Sequence, residues 1–325
     1  PAIKQDAQCG KEVTWNYISE NKTLLIDGTG PMFNFSVFSK VPYYQYHSLV
    51  ETIIIQPGIT MIGKNAFYSF DKLQHISIPN SVTIIHDYSF FKCTSLETID
   101  LPSSLERLGV QVFYFCINLN SATIPNTVIS IGDSCFSYCN KLSIISIPES
   151  LINLGSGAFF SCTSLAEINV LSQIDSIPKS SFYNCTGLHA ITLPSTIASI
   201  GESAFYLCSQ LSHLSLPSTT TTLEKYSFAN CPALSEIQSN SLERIDEFVF
   251  ANCLSLTSFN VSSSINSIES NAFVNCSGLD SFIVDSDNQH FSAIDGVLFN
   301  HDGTQLIKYP SHIASETYVI NETVI

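Results

Sequence analysis

The chain is 325 residues long, with 13 Lys and Arg against 28 Asp and Glu and a formal charge of -15. Such a balance repels phosphate backbones and anionic lipid alike, which argues against nucleic acid and membrane surfaces as partners. Charged residues make up 13% and hydrophobic ones 45%, enough apolar mass for a large core and too much for a disordered chain. Long uncharged stretches such as 109–132 carry Asn, Gln, Ser, Thr and Pro, and none reads as a transmembrane helix.

Residues 1–48 start without Met or an apolar leader, and the chain stops in mid-pattern at "SETYVINETVI", so it reads as a fragment of a longer protein. Within this first region "CGKEVTWNYISENKTLLIDGTGPM" alternates apolar and polar residues around a polar "SENKT" turn. That pattern predicts a capping hairpin over the open edge of whatever follows.

From 49 to 285 one sentence recurs. Strand-like segments begin at Val50, Leu73, Leu96, Leu119, Leu142, Leu165, Leu188, Leu211, Leu234, Leu256 and Leu279, 23 residues apart except for one step of 22 between Leu234 and Leu256. This period with an L-x-x-L-x-L core predicts a leucine-rich-repeat solenoid of about eleven turns. The class is α/β dominated by β, with a parallel concave sheet and an irregular or short-helical convex side. A Pro at 79, 102, 125, 148, 194 or 217 ends six of these strands, because it removes a ladder donor. A Phe column from Phe67 to Phe273 predicts a stacked spine that no single turn can bury alone.

Nine of the 11 cysteines, from Cys93 to Cys276, stand three residues after that Phe. Evenly spaced single thiols do not cluster as zinc ligands do, and parallel inward thiols seldom meet a disulfide dihedral. A ladder of buried free thiols follows, without metal or cofactor. Two turns depart from the pattern: "LAEINVLSQIDSIP", where Pro178 moves downstream, and "LSEIQSNSLERIDE", which lacks the Pro and one residue. Over 286–325 the period lapses into "FSAIDGVLFNHDGTQLIKYP", two apolar runs joined through His301-Asp302-Gly303, and then the start of a further, truncated repeat. The join is a second hairpin signal.

The unit I-G-x-x-A-F-x-x-C-x-x-L-x-x-I-x-I-P-x-S-V resembles the BspA-like class of leucine-rich repeats, surface proteins of anaerobic bacteria and mucosal protozoan parasites. "CG...VTW...LLIDGTGPM" is similar to that family's N-terminal cap, and "AIDGVLFNHDGTQLIKYP" to its irregular hairpin repeat. The resemblance covers nearly the whole chain. It implies an extracellular or cell-surface location and adhesion to host matrix proteins, host cells or other microbes. It carries over no catalytic or ligand-binding residue.

No G-x-S-x-G, H-E-x-x-H, P-loop or G-x-G-x-x-G motif occurs, and the chain is read as a binding protein rather than an enzyme. The outward strand positions contain no Lys or Arg. The concave sheet is therefore expected to be a mildly acidic surface of small residues, and the candidate ligand-binding residues are Glu97, Asp100, Glu167, Asn169, His189, His213, Glu236 and Gln238. Glu167, His189, His213 and Glu236 fall on neighbouring rungs about 4.8 Å apart, which suggests one pH-sensitive cluster. The same positions read equally as a solvated face. A structural stalk or self-association module is the alternative function, through the convex aromatic column Tyr68, Phe91, Tyr114, Phe160, Tyr183 and Tyr206, whose rings read equally as half-buried packing. In a eukaryotic source Asn21, Asn34, Asn260 and Asn321 are expected glycosylation sites, whereas the sequons at Asn184 and Asn275 are expected to be bonded inside their turns and bare.

Overall fold

The computed structural model describes residues 7–312. These form two compact units divided between Ile174 and Asp175, inside the stretch that the sequence reads as one solenoid and at the turn where Pro178 is displaced.

Each turn of either unit has three sides. The first carries a short strand, as in Thr98–Asp100 and Ser121–Thr123, paired in parallel with Thr98 opposite Ser121 and Asp100 opposite Thr123. Ile99 and Ala122 point inward and are buried while their neighbours face out, the period-two alternation of a half-buried strand. After the strand-ending Pro comes a second, two-residue strand, such as Arg107–Leu108 and Ser130–Ile131, which pairs with its equivalents into a second parallel sheet. In sequence this side shows only as one apolar column, because a two-residue strand buries a single side chain per turn.

The third side holds no α-helix among the described residues, so of the irregular or short-helical side expected it takes the irregular form, a ladder of turns. Two residues per turn, four apart, take the left-handed conformation, for example Asn65 and Ser69 at φ 59° and 58°, and Tyr88 and Lys92 at φ 58° and 59°. For non-glycine residues this costs roughly 1–2 kcal/mol each. It turns alternate amides toward the following turn: Asn65, Phe67 and Ser69 donate to the carbonyls of Asp87, Ser89 and Phe91 at 3.0, 2.8 and 2.7 Å. The backbone is thus satisfied between turns where a helix would satisfy it internally.

Phenylalanine fills the interior. In the first unit the rings of Phe67, Phe90, Phe113, Phe136 and Phe159 stack at 5.4, 5.5, 5.2 and 5.6 Å. In the second, Phe182, Phe205, Phe228, Phe250 and Phe273 stack at 5.4, 5.3, 5.9 and 5.1 Å. All ten are buried. The cysteines beside them are free and buried. Their thiols donate to the Phe carbonyl of the preceding turn, as Cys93 does to Phe67 at 3.3 Å and Cys231 to Phe205 at 3.1 Å.

Both ends carry antiparallel structure. Strands β1 (Gly10–Ile18) and β2 (Thr23–Met32) form a hairpin. β2 serves both sheets: Thr23–Ile26 pairs with β3 (Thr52–Ile55), and Gly30 and Pro31 pair with β4 (Ile59–Ile62). The bend between them falls at Gly28, φ 125°, where a Cβ would lie 2.0 Å from the Glu12 carbonyl oxygen. Trp15 packs edge-on against buried Tyr43 at 5.6 Å, which in turn contacts Phe67. At the far end Phe291–Ile294, Val297–Asn300 and Leu306–Lys308 make a three-stranded meander. The sequence reading found its second turn, through 301–303, and missed the first. That first turn is Asp295-Gly296, whose φ angles of 50° and 78° suit a tight hairpin.

Candidate binding face

The first strand of each turn directs alternate side chains outward, and in each unit these compose a candidate face. In the first unit Glu97, Asp100, Glu167 and Asn169 are all exposed, and so are His189, His213, Glu236 and Gln238 in the second. Asp100 stands opposite Thr123. His213 stands opposite Glu236, and Ser215 opposite Gln238. Glu167 therefore belongs to one unit and the two histidines and Glu236 to the other.

The geometry corrects the expected His213–Glu236 pairing. The imidazole of His213 bonds through Nδ1 with the Ser212 hydroxyl at 2.9 Å and through Nε2 with the Ser235 hydroxyl at 3.4 Å. Glu236 Oε1 instead accepts from the Gln238 side-chain amide at 2.9 Å. Rung spacing alone placed the two side chains together. The choice of partner was decided by serines on the flanking column, which are shorter and already in reach.

Except for Lys22, which pairs with Glu51 beside the first strand Thr52–Ile55, the paired cations sit elsewhere. Lys64 pairs with Asp87 at 3.7 Å, Lys179 with Glu202 at 2.7 Å, Lys225 with Glu247 at 2.5 Å and Arg244 with Asp246 at 3.0 Å. All eight lie in the second strand or in the turn that follows it. Of the first-strand carboxylates Glu51 pairs with Lys22, whereas Glu97, Asp100 and Glu236 have no cation partner among the described residues; the other sides carry the remaining paired charges. Its most exposed apolar side chain is Ile144, at 71%, beside Thr123 and Ser146.

A family model for the BspA-type leucine-rich repeat region matches residues 60–189 and 175–302. The chain belongs to the BspA-type leucine-rich repeat family. Among solved structures it is similar to a leucine-rich repeat protein from Bacteroides ovatus, at 24% identity and a TM-score of 0.54 over 85% of this chain and 88% of that one. A leucine-rich repeat protein from Eubacterium ventriosum is similar at 18% and 0.53, over 85% and 83%. The pneumococcal vaccine antigen PcpA is similar at 18% and 0.53, over 98% and 93%. No curated protein sequence matches the chain.

Solenoids of the BspA type expose a repeated surface rather than a converging cleft, the usual architecture of a binding scaffold. Among the described residues no group of three or more His, Cys, Asp or Glu side chains is placed to hold a metal ion, and no helix is long and apolar enough to cross a membrane. The convex aromatics are half-buried and packed on one another: Tyr68 on Phe91 at 4.7 Å, Phe91 on Tyr114 at 4.9 Å, Tyr183 on Tyr206 at 4.9 Å. Of the sequons, Asn21, Asn34 and Asn260 are exposed, Asn184 is half-buried, and Asn321 lies outside the described residues. Asn275 is exposed, contrary to the expectation that its turn encloses it.

The sequence reading missed Ser239 and Asn240, which with Ser215, Glu236, Gln238 and Asn260 line a cavity of about 410 Å³ at the edge of the face. The signal was present: this is the turn that lacks its Pro and one residue.

Proposed function

We propose that this chain is part of an extracellular or cell-surface adhesin that binds a host matrix or cell-surface protein through its first-strand face, without catalysis or a cofactor. The observation that carries this reading is the segregation of charge. Glu97, Asp100 and Glu236 are exposed on a face without Lys or Arg, while Glu202, Asp246 and Glu247 on the other sides are matched to cations. An unmatched carboxylate face steers a basic protein toward it and favours the correct orientation. Family membership and the shared fold of PcpA, described as a vaccine antigen, support a surface location.

A stalk or self-association role is the second reading. It would rest on the convex aromatics, but Tyr68, Phe91 and Tyr114 already contact one another and offer little free apolar surface.

Solid-phase binding to a panel of purified extracellular-matrix proteins tests the proposal. Saturable binding that weakens as salt rises supports it. Binding no greater than that of an unrelated leucine-rich repeat protein rules it out.

A further inference from the structure

The geometry points to the notch at the 22-residue repeat as the seat of a single cationic side chain, arginine or lysine, from the protein partner; this deepens the adhesion reading and rests on it. The period explains why the notch exists. In the preceding turn Pro217 ends the first strand; the turn after Gln238 lacks that Pro, as the next two turns do, but it alone is also one residue shorter. There Ser239 and Asn240 rim a cavity of about 410 Å³ floored by Glu236 and Gln238. Two of the lining residues are held together, the Leu216 amide donating to the Gln238 carbonyl at 2.9 Å.

The lining selects the ligand. The polar side chains lining it are the Glu236 carboxylate, the amides of Gln238, Asn240 and Asn260 and the hydroxyls of three serines, 215, 218 and 239; all can accept a hydrogen bond, and the one charge among them is negative. Arginine and lysine heads carry several N–H donors and no acceptor, which is the complement. Glu236 is already oriented by Gln238 through Oε1, and its second oxygen has no ion-pair partner among the described residues. Glu202, Asp246 and Glu247 of the same unit are each paired to a Lys or Arg. An anion is disfavoured by Glu236 and by the chain's charge of -15, and no aromatic ring lines the notch for a sugar to stack on.

The test is an NMR titration of the whole chain with Nα-acetyl-arginine N-methylamide, and with the citrulline counterpart, equal in shape but uncharged. The expected result is saturable shifts confined to Glu236–Asn240 and Asn260 with the arginine probe, and binding weaker by about two- to fivefold with citrulline. Glu236→Gln should weaken the arginine probe about two- to fivefold, the range for one solvent-exposed charge pair. Glu97→Gln, in the other unit, should leave it unchanged. Equal shifts with citrulline, or non-saturating shifts spread over all acidic surfaces and indifferent to Glu236→Gln, overturn the notch. If matrix-protein binding persists in that case, the adhesion reading stands and only the notch falls.

Discussion

The thiol of Cys116 lies 3.2 Å from the carbonyl oxygen of Phe90, one turn earlier in the stack. The same bond recurs from Cys139 to Phe113 and from Cys162 to Phe136. This explains a column of cysteines better than size alone. A small side chain is needed beside the Phe spine, and a weak donor aimed at the preceding turn adds a cross-link between units that cannot stand alone. Cys116→Ala removes the donor and leaves a small void. Its urea midpoint should correspond to a loss of about 1–2 kcal/mol. No change would mean the contact contributes nothing.

Burial raises the thiol pKa of Cys116 and of Cys231 to about 12 from an ordinary value of 9.0, desolvation being the main cause and backbone hydrogen bonds opposing it. The native state therefore holds these protons when the unfolded state has released them. The column's contribution to stability is intact below about pH 9 and is lost progressively as pH rises toward about 12. Urea midpoints should hold between pH 8 and about pH 9 and fall from there to pH 11. At pH 8 a thiol reagent such as dithionitrobenzoate should label almost none of the buried cysteines until denaturant is added. Rapid labelling of the native protein would contradict the ladder.

Phe113 is buried between Phe90 and Phe136, with ring centroids at 5.5 and 5.2 Å. Phe113→Ala should cost about 3–5 kcal/mol. Nearest-neighbour coupling predicts that loss of hydrogen-exchange protection is greatest in the turns on either side of Phe113. A purely uniform loss would instead indicate that the first unit unfolds as one block.

Asn260 is both an exposed sequon and a wall of the notch. Expressed in a glycosylating host, the chain should carry glycan there, and the glycan should abolish the arginine-probe shifts, which Ser262→Ala, removing the sequon and leaving Asn260 in place, should restore. Glycopeptide mass spectrometry should also find Asn275 accessible and Asn184 less occupied, since Asn184 is half-buried. Equal occupancy of both would show that burial does not control modification here.

The parts of the fold legible in sequence were those written with large side chains at long range. The Phe67-to-Phe273 column and the 23-residue step fix the stacking direction, because one misplaced ring would break contacts with two neighbours. The second sheet was illegible, since strands such as Arg107–Leu108 are too short to alternate. So was the left-handed geometry of Tyr88 and Phe115, residue types whose own preference opposes it; inter-turn hydrogen bonds override that preference. On the candidate face, exposure of Glu97, Asp100 and Glu236 followed from alternation alone. The partner of His213 did not, because the hydroxyls of Ser212 and Ser235 lie on a flanking column that strand spacing does not rank.

The central claim is that the first-strand face, and no other side, engages a basic protein. The direct measurement compares saturation binding of three proteins to one matrix-protein panel: the parent chain, a variant with Glu97→Gln, Asp100→Asn and Glu236→Gln together, and a variant with Glu202→Gln and Glu247→Gln on the opposite sides. Each exposed charge lost from the binding face costs about 0.2–1 kcal/mol. The first variant should therefore bind several-fold more weakly and lose much of its salt dependence, while the second binds as the parent does. Equal affinity for the parent and the triple variant, or a larger loss in the second, would contradict the account.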